Sequence, residues 1–145
     1  MTETLELLRD LTARDRFVQS LGIELIEGGP GHASVRMTLR EDHMNFNGSC
    51  HGGAVFALAD TAFGLASNSH GVVAAGIDAH IAYPAAARLG DVLTATAREV
   101  ARSTRIATYR AEVLRADGKI VATFTGTVFI TGGAHQEPVP DGIQD

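Results

Sequence analysis

The chain has one cysteine, Cys50, which leaves no partner for an internal disulfide and no multi-cysteine metal site, and suits a reducing compartment. It has no surplus of base. Twelve Lys and Arg stand against 17 Asp and Glu, a net charge of −5, which argues against general binding to the phosphates of nucleic acid. No apolar run approaches the ~20 residues of a membrane-crossing helix. The opening Met1-Thr2-Glu3-Thr4 has no basic flank leading into an apolar segment. The expected protein is cytoplasmic, with neither a membrane nor a nucleic acid as partner.

What is present suffices for one ordinary core: 145 residues, 45% of them apolar, make a single domain. Residues 3–20 carry Leu5, Leu7, Leu8, Leu11, Phe17 and Val18 at helical spacing, and predict one amphipathic surface helix closed by Gly22. Ile23 to Glu27 and Ala33 to Leu39 predict a hairpin with a loose turn around Gly28-Gly29-Pro30-Gly31, followed by a loop from Arg40 to Cys50. Residues 52–69 have the length of a helix and no proline, with Val55, Leu58, Ala62 and Leu65 on one stripe. Histidines aside, Asp60 is the only charged residue between Met44 and Ile77, so this helix lacks a solvated face and is expected to be buried along most of its length.

Four strands are predicted after Gly71: Val72 to Tyr83, Asp91 to Ala101, Thr104 to Ala116 and Lys119 to Ile130, the last two joined by a two-residue turn at Asp117-Gly118. In the last strand Ile120, Ala122, Phe124, Val128 and Ile130 alternate with Thr123, Thr125 and Thr127, and Gly126 falls on the apolar side, where it can admit another backbone. Thr131 to Asp145, with Gly132-Gly133 and two prolines, is expected to be a flexible tail. One buried helix with about six antiparallel strands makes an α+β domain, a curved sheet wrapped around the helix. A single sheet covers only part of that helix, and a second copy of the chain completes it as a homodimer.

Asp60 is the residue that most needs explaining, because a carboxylate buried among Ala, Leu and Phe is costly unless paired or tasked, and no base lies within a helical turn. The alternative is an aspartate facing solvent from the small or polar stripe of Ala57, Thr61, Gly64, Ser67 and Asn68, which can equally floor a cleft. Eight residues earlier, Gly52 and Gly53 open the helix directly after His51 and leave amides unblocked where the helix dipole is positive. Carboxylate and amides together suit acyl transfer, which needs a base or nucleophile and donors at the developing oxyanion. Eight residues of helix span about 12 Å, so the two parts must come from different subunits.

Other polar residues are weaker candidates. Cys50 beside His51 reads as a packed thiol, and His43, His70 and His80 have no metal spacing. Asn45 and Asn47 can cap the helix or orient a water. Seven of the twelve basic residues lie between 88 and 119 against four acids, a local +3 that suits solvated sheet faces or a phosphorylated ligand.

The run Asn45-Phe46-Asn47-Gly48-Ser49-Cys50-His51-Gly52-Gly53, with the helix that follows, resembles the signature of hotdog-fold thioesterases of the PaaI type, associated with phenylacetic acid degradation and related to the 4-hydroxybenzoyl-CoA thioesterase group. The likeness spans roughly residues 15 to 130. It implies one hotdog domain over residues 1–130, a homodimer often paired again into a tetramer, and an acyl-CoA substrate with no separate cofactor, since coenzyme A is part of the substrate. By resemblance Asp60 is the catalytic nucleophile or base, Gly52 the backbone donor to the thioester oxygen, Asn45 an aid in placing water, and His51 a neighbour of the carbonyl. Arg102, Ser103, Thr104 and Arg105 fall where relatives hold the nucleotide of coenzyme A. Gly53, Asn47, Phe46, Phe56 and Phe63 are candidates to contact or wall the acyl group, an aryl-acetyl group leading and short or medium acyl chains following. Some relatives carry Ser or Thr, a water-orienting hydroxyl, where this chain has Gly76. The rival readings are a hotdog hydratase or dehydratase, and a non-catalytic acyl-CoA-binding protein.

Overall fold

The structure, a computed structural model, describes residues 2–135. Helix α1 (Glu3–Arg14) starts where Thr2 Oγ1 accepts the Leu5 N–H. It ends one residue before helix α2 (Arg16–Leu21), so the single helix expected over 3–20 is two. Asp15 is the reason: an aspartate competes for nearby amides, and here it leaves the helical region at φ −84°, ψ 101° and caps α2 through the Val18 N–H.

Strands β1 (Glu24–Gly29) and β2 (His32–Thr38) form the expected hairpin, but Gly29 pairs with His32 across only Pro30 and Gly31, so the turn is tight. The segment between β2 and the long helix holds a short 3-10 turn, Glu41–His43, and a bridge between Met44 and Cys50. Helix α3 (Gly52–Asn68) is followed by β3 (Val72–Ala82), β4 (Val92–Arg102), β5 (Ile106–Arg115) and β6 (Ile120–Ala134). The six strands form one antiparallel sheet ordered β1-β2-β4-β5-β6-β3, and α3 packs on five of them. This is the α+β architecture expected, with the helix held in the bend of the sheet.

Two junctions differ from expectation. The β5–β6 connection is three residues, because Arg115 pairs with Lys119 and Gly118 at φ 85° takes the left-handed position that such loops require. Strand β6 continues past Ile130 to pair Ala134 with Val72, so Thr131 to Ala134 are strand where a tail was expected. Residues 136–145 of that tail lie outside the described residues. No helix among the described residues is long and apolar enough to cross a membrane.

The core is built on α3, where Leu58, Ala59, Ala62 and Phe63 are buried against the inner face of the sheet. Phe63 packs on Tyr109 and Phe124 at ring separations of 5.8 and 5.4 Å, and Phe56 meets Phe124 edge-on at 5.7 Å. Gly126 therefore admits a ring, where another backbone was expected: a Cβ there stands 2.8 Å from Phe63 Cζ and 3.0 Å from Phe124 Cε1. Gly126→Ala is expected to destabilise the fold by about 1–3 kcal/mol through overpacking, read as a lowered midpoint in urea unfolding at unchanged slope.

Candidate active site

The segment that leads into α3 is fixed before the helix begins. Asn45 Oδ1 accepts the N–H groups of Asn47 and Ser49, closing a loop in which Gly48 takes φ 77°. Asn45 thus spends its oxygen on its own loop and caps nothing in α3. Its Nδ2 has no partner among the described residues. The Cys50 N–H then donates to Ala87 O, and the His51 N–H to His43 O at 2.7 Å. His43 is itself buried, with Nδ1 accepting the Arg40 N–H and Nε2 against Leu21 O.

A helix begins with four amides that have no intrahelical acceptor. That of His51 is spent on His43, and His51 itself serves two of the others. Its Nδ1 accepts the Gly53 N–H at 2.8 Å and its carbonyl accepts that of Ala54 at 2.9 Å, besides the first regular helical bond, from Val55, at 3.2 Å. With Nδ1 occupied as an acceptor, the proton of the neutral ring sits on Nε2. The remaining amide, Gly52 N–H, has no acceptor among the described residues. Of the two glycine amides singled out in the sequence, only Gly52 is therefore open to a ligand. Gly53 has a different use, because a Cβ there would stand 2.9 Å from His51 Nδ1 and expel the capping ring.

The hollow beside Gly52, of about 260 Å³, is bounded by Asn45, Cys50, Val55, Tyr83 and Ala87. Sequence reasoning missed Tyr83, whose hydroxyl donates to Gly52 O at 3.1 Å and ties the end of β3 to the start of α3. Its one signal was a tyrosine placed directly before Pro84 where a strand stops. Cys50 is no nucleophile candidate: burial, with the Asp91 charge second, pushes its thiol up to about 11.

Asp60 lies elsewhere. In the single chain it is exposed, so it is not the buried carboxylate expected, because the small residues Ala57, Thr61, Gly64 and Asn68 beside it leave a hollow of about 310 Å³. Leu11, Asp15, Phe17 and Val18 of the first two helices close the far side. Ser67, placed on the same stripe from the sequence, is instead buried. The surrounding protein strips water from Asp60, and the like charge of Asp15 adds to that, so its pKa is raised above the ordinary aspartate value.

The aromatic candidates separate. Phe56 and Phe63 belong to the core, whereas Phe46 stands 97% exposed at the loop tip. Asn47 is exposed beside it. Gly76 also faces Phe63, whose Cε1 would lie 3.2 Å from a Cβ, so a larger residue there requires the ring to give way.

Arg102 to Arg105 form the turn between β4 and β5. Ser103 Oγ engages both the carbonyl and the amide of Ile106, building the turn, while Arg102 reaches Glu99 at 3.4 Å. Thr104 and Arg105 are exposed, without side-chain partners among the described residues. His70, just after α3, also meets Glu99, which places this turn at the far end of that helix, roughly 25 Å from Gly52 by helical rise. Burial pushes the Glu99 carboxyl up, but hydrogen bonds from Tyr109 and His70 and contact with Arg102 outweigh it, and the net shift is downward. Among the described residues no three His, Cys, Asp or Glu side chains gather as a metal site.

One chain thus holds an open backbone donor and a carboxylate of raised basicity in two separate hollows. Comparison with known proteins bears on what such a pair does. The thioesterase superfamily pattern matches residues 47–122. The chain is 38% identical to the acyl-coenzyme A thioesterase PaaI of Escherichia coli over 82% of this chain and 85% of that protein. The structure of the E. coli PaaI protein from the phenylacetic acid degradation operon matches with a TM-score of 0.85 at 36% identity, covering 87% of this chain and 91% of that one. The structure of smu.793 from Streptococcus mutans bound to acetyl CoA matches with a TM-score of 0.75 at 29% identity, covering 78% of this chain and 91% of that one.

Proposed function

The chain belongs to the thioesterase superfamily, and from that premise we propose that it is an acyl-CoA thioesterase whose site is assembled from two copies of the chain. The observation that carries the reading is the Gly52 amide, the one amide at the start of α3 left without an acceptor among the described residues. It is a donor aimed outward with no other employment, as an oxyanion requires. Asp60 supplies the other half from the facing copy. A twofold axis level with Phe56, four residues from each, brings Gly52 of one copy to Asp60 of the other. Two features support such a pairing: β3 is an edge strand with no outer neighbour, and Ile77 on it and Phe46 at the loop tip are exposed apolar side chains. A dimer of dimers is a further step in the same proposal.

In this reading the thioester oxygen accepts from Gly52 N–H. Asp60 either takes a proton from a water that attacks the carbonyl carbon, or attacks it directly and is freed by water afterwards. The carbon–sulfur bond breaks, and the leaving thiolate takes up the proton, giving free acid and coenzyme A. The Nε2–H of His51 and the free Nδ2 of Asn45 are the remaining donors beside the Gly52 hollow. Arg105, exposed and unpaired, is the cation of the β4–β5 turn suited to a phosphate of coenzyme A. Aryl-acetyl groups lead among acyl candidates on family likeness, with short and medium chains next.

Release of free thiol from a panel of acyl-CoA esters, phenylacetyl-CoA included, tests the reading. Turnover of at least one ester is expected. Esters that bind without releasing thiol would instead mark a binding protein.

A further inference from the structure

We infer that the joint between α1 and α2 selects the acyl group by charge, admitting neutral acyl chains to the Asp60 hollow and rejecting those that end in a carboxylate; this rests on Asp60 being the reacting carboxylate. The joint is held tightly for so short a connection. The Asp15 N–H donates to Thr12 O at 3.3 Å, closing α1, while Asp15 Oδ1 accepts the Val18 N–H at 3.1 Å, opening α2. One residue thus ends one helix and begins the next, which fixes its carboxylate on the wall opposite α3. Its second oxygen, Oδ2, has no partner among the described residues.

The charges around this hollow are one-sided. Asp15 and Asp60 line it together, and among the described residues the only other titratable side chain on its wall is His135, whose Nε2 meets Asn68 Oδ1 at 2.7 Å. Burial first, and the Arg14 charge second, lower the His135 pKa, so it is neutral near pH 7. Arg14, whose charge bears on His135, is engaged by Asp10 at 2.7 Å, and neither it nor Arg16 lines the hollow. The rest of the wall is uncharged: Leu11, Val18 and Leu65 are apolar, Thr12 and Thr61 add hydroxyls, and Phe17 stands 63% exposed. Among the described residues that line the hollow, an acyl chain entering here meets two negative charges and no positive one. A chain with its own terminal carboxylate must enter against both, although solvent reaches both aspartates and limits the repulsion. Selection therefore works by exclusion, not by a dedicated contact.

The test is a matched pair of esters, hexanoyl-CoA and adipoyl-CoA, equal in carbon count and differing in one terminal carboxylate. The native protein is expected to favour hexanoyl-CoA by about tenfold in kcat/KM, and Asp15→Asn to shrink that ratio about threefold, chiefly through KM for adipoyl-CoA. Asparagine caps a helix about as well as aspartate, so the joint survives the change. A cap lost for structural reasons would lower both esters alike and leave the ratio where it was. An unchanged ratio in Asp15→Asn, or a native protein indifferent to the carboxylate, overturns the inference and leaves the hydrolase reading standing. Native protein that releases thiol from neither of these esters nor from phenylacetyl-CoA brings down that reading and the inference with it.

Discussion

Asp60→Asn is expected to lower kcat for acyl-CoA hydrolysis by about 10²–10⁴-fold while leaving substrate affinity close to native. The replacement is nearly isosteric in a hollow lined by small residues, so a loss confined to kcat assigns the carboxylate to the chemical step. Full activity in the variant would remove Asp60 from the mechanism. The raised pKa adds a second signature. Asp60 works ionised, so the acid limb of kcat/KM should lie above the ordinary aspartate range, with activity falling as pH drops through it. Stability runs the other way. A carboxylate whose folded pKa exceeds its unfolded pKa contributes stability when protonated, and that contribution is lost as pH rises through the folded value. The asparagine variant should therefore melt slightly above the native protein at neutral pH, with the gain vanishing under acid. Because Asp60 is exposed in the single chain, solvent screening keeps that gain small.

Gly52→Pro should cost about 10²–10³-fold in kcat with the fold intact. Position 52 is the first residue of α3, where proline is well tolerated because its missing N–H has no intrahelical use. His51 at φ −60° and ψ 134° already has the extended backbone that precedes a proline. The substitution removes the amide hydrogen and sets a pyrrolidine ring against Tyr83, so Gly52→Ala, which adds bulk there but keeps the N–H, is the control and should stay active; an active Gly52→Pro protein would leave the oxyanion without its proposed donor. Mixing the two variants locates the site. If Asp60 and Gly52 act across a subunit boundary, a dimer of one Asp60→Asn chain with one Gly52→Pro chain contains one wholly native site and one doubly altered site. Random reassociation should then recover about a quarter of the native rate from two nearly inactive preparations. No recovery in verified mixed dimers would mean that each site is built within one chain.

Much of this architecture was readable from residue patterns, and the misreadings have local causes. Helix α3 could be read because its charge-poor sequence leaves few other structures, and β6 because threonines alternate with apolar residues up to Val128. The break at Asp15 was hidden by a helical pattern that runs through it; only a capping competition, invisible to periodicity, divides the segment. The Pro30-Gly31 and Ala116–Gly118 turns were misjudged because strand register, not the turn residues alone, sets the length of a connection. At the site, the sequence identified His51, Gly52 and Gly53 but not the division of labour among them, which depends on where one imidazole nitrogen points. Phe63 resembled a pocket wall because composition cannot tell a ring facing a ligand from a ring facing Gly126, and half-buried Phe56 packs edge-on against Phe124. Tyr83 and the α1–α2 wall lie far from the motif in sequence, and only the fold brings them to it.

The use of a main-chain N–H at residue 52 has a consequence for descent. Mutation can erase a catalytic side chain in a single step, but every amino acid except proline carries the group that Gly52 presents. Lineages can therefore vary that position, and even crowd it, without discarding the donor outright. The same does not hold for the ring of His51, whose Nδ1 alone holds the Gly53 N–H. Inherited loss of function in this part of the molecule should accordingly arise at residue 51 or residue 53 more readily than at the residue whose hydrogen is proposed to meet the substrate.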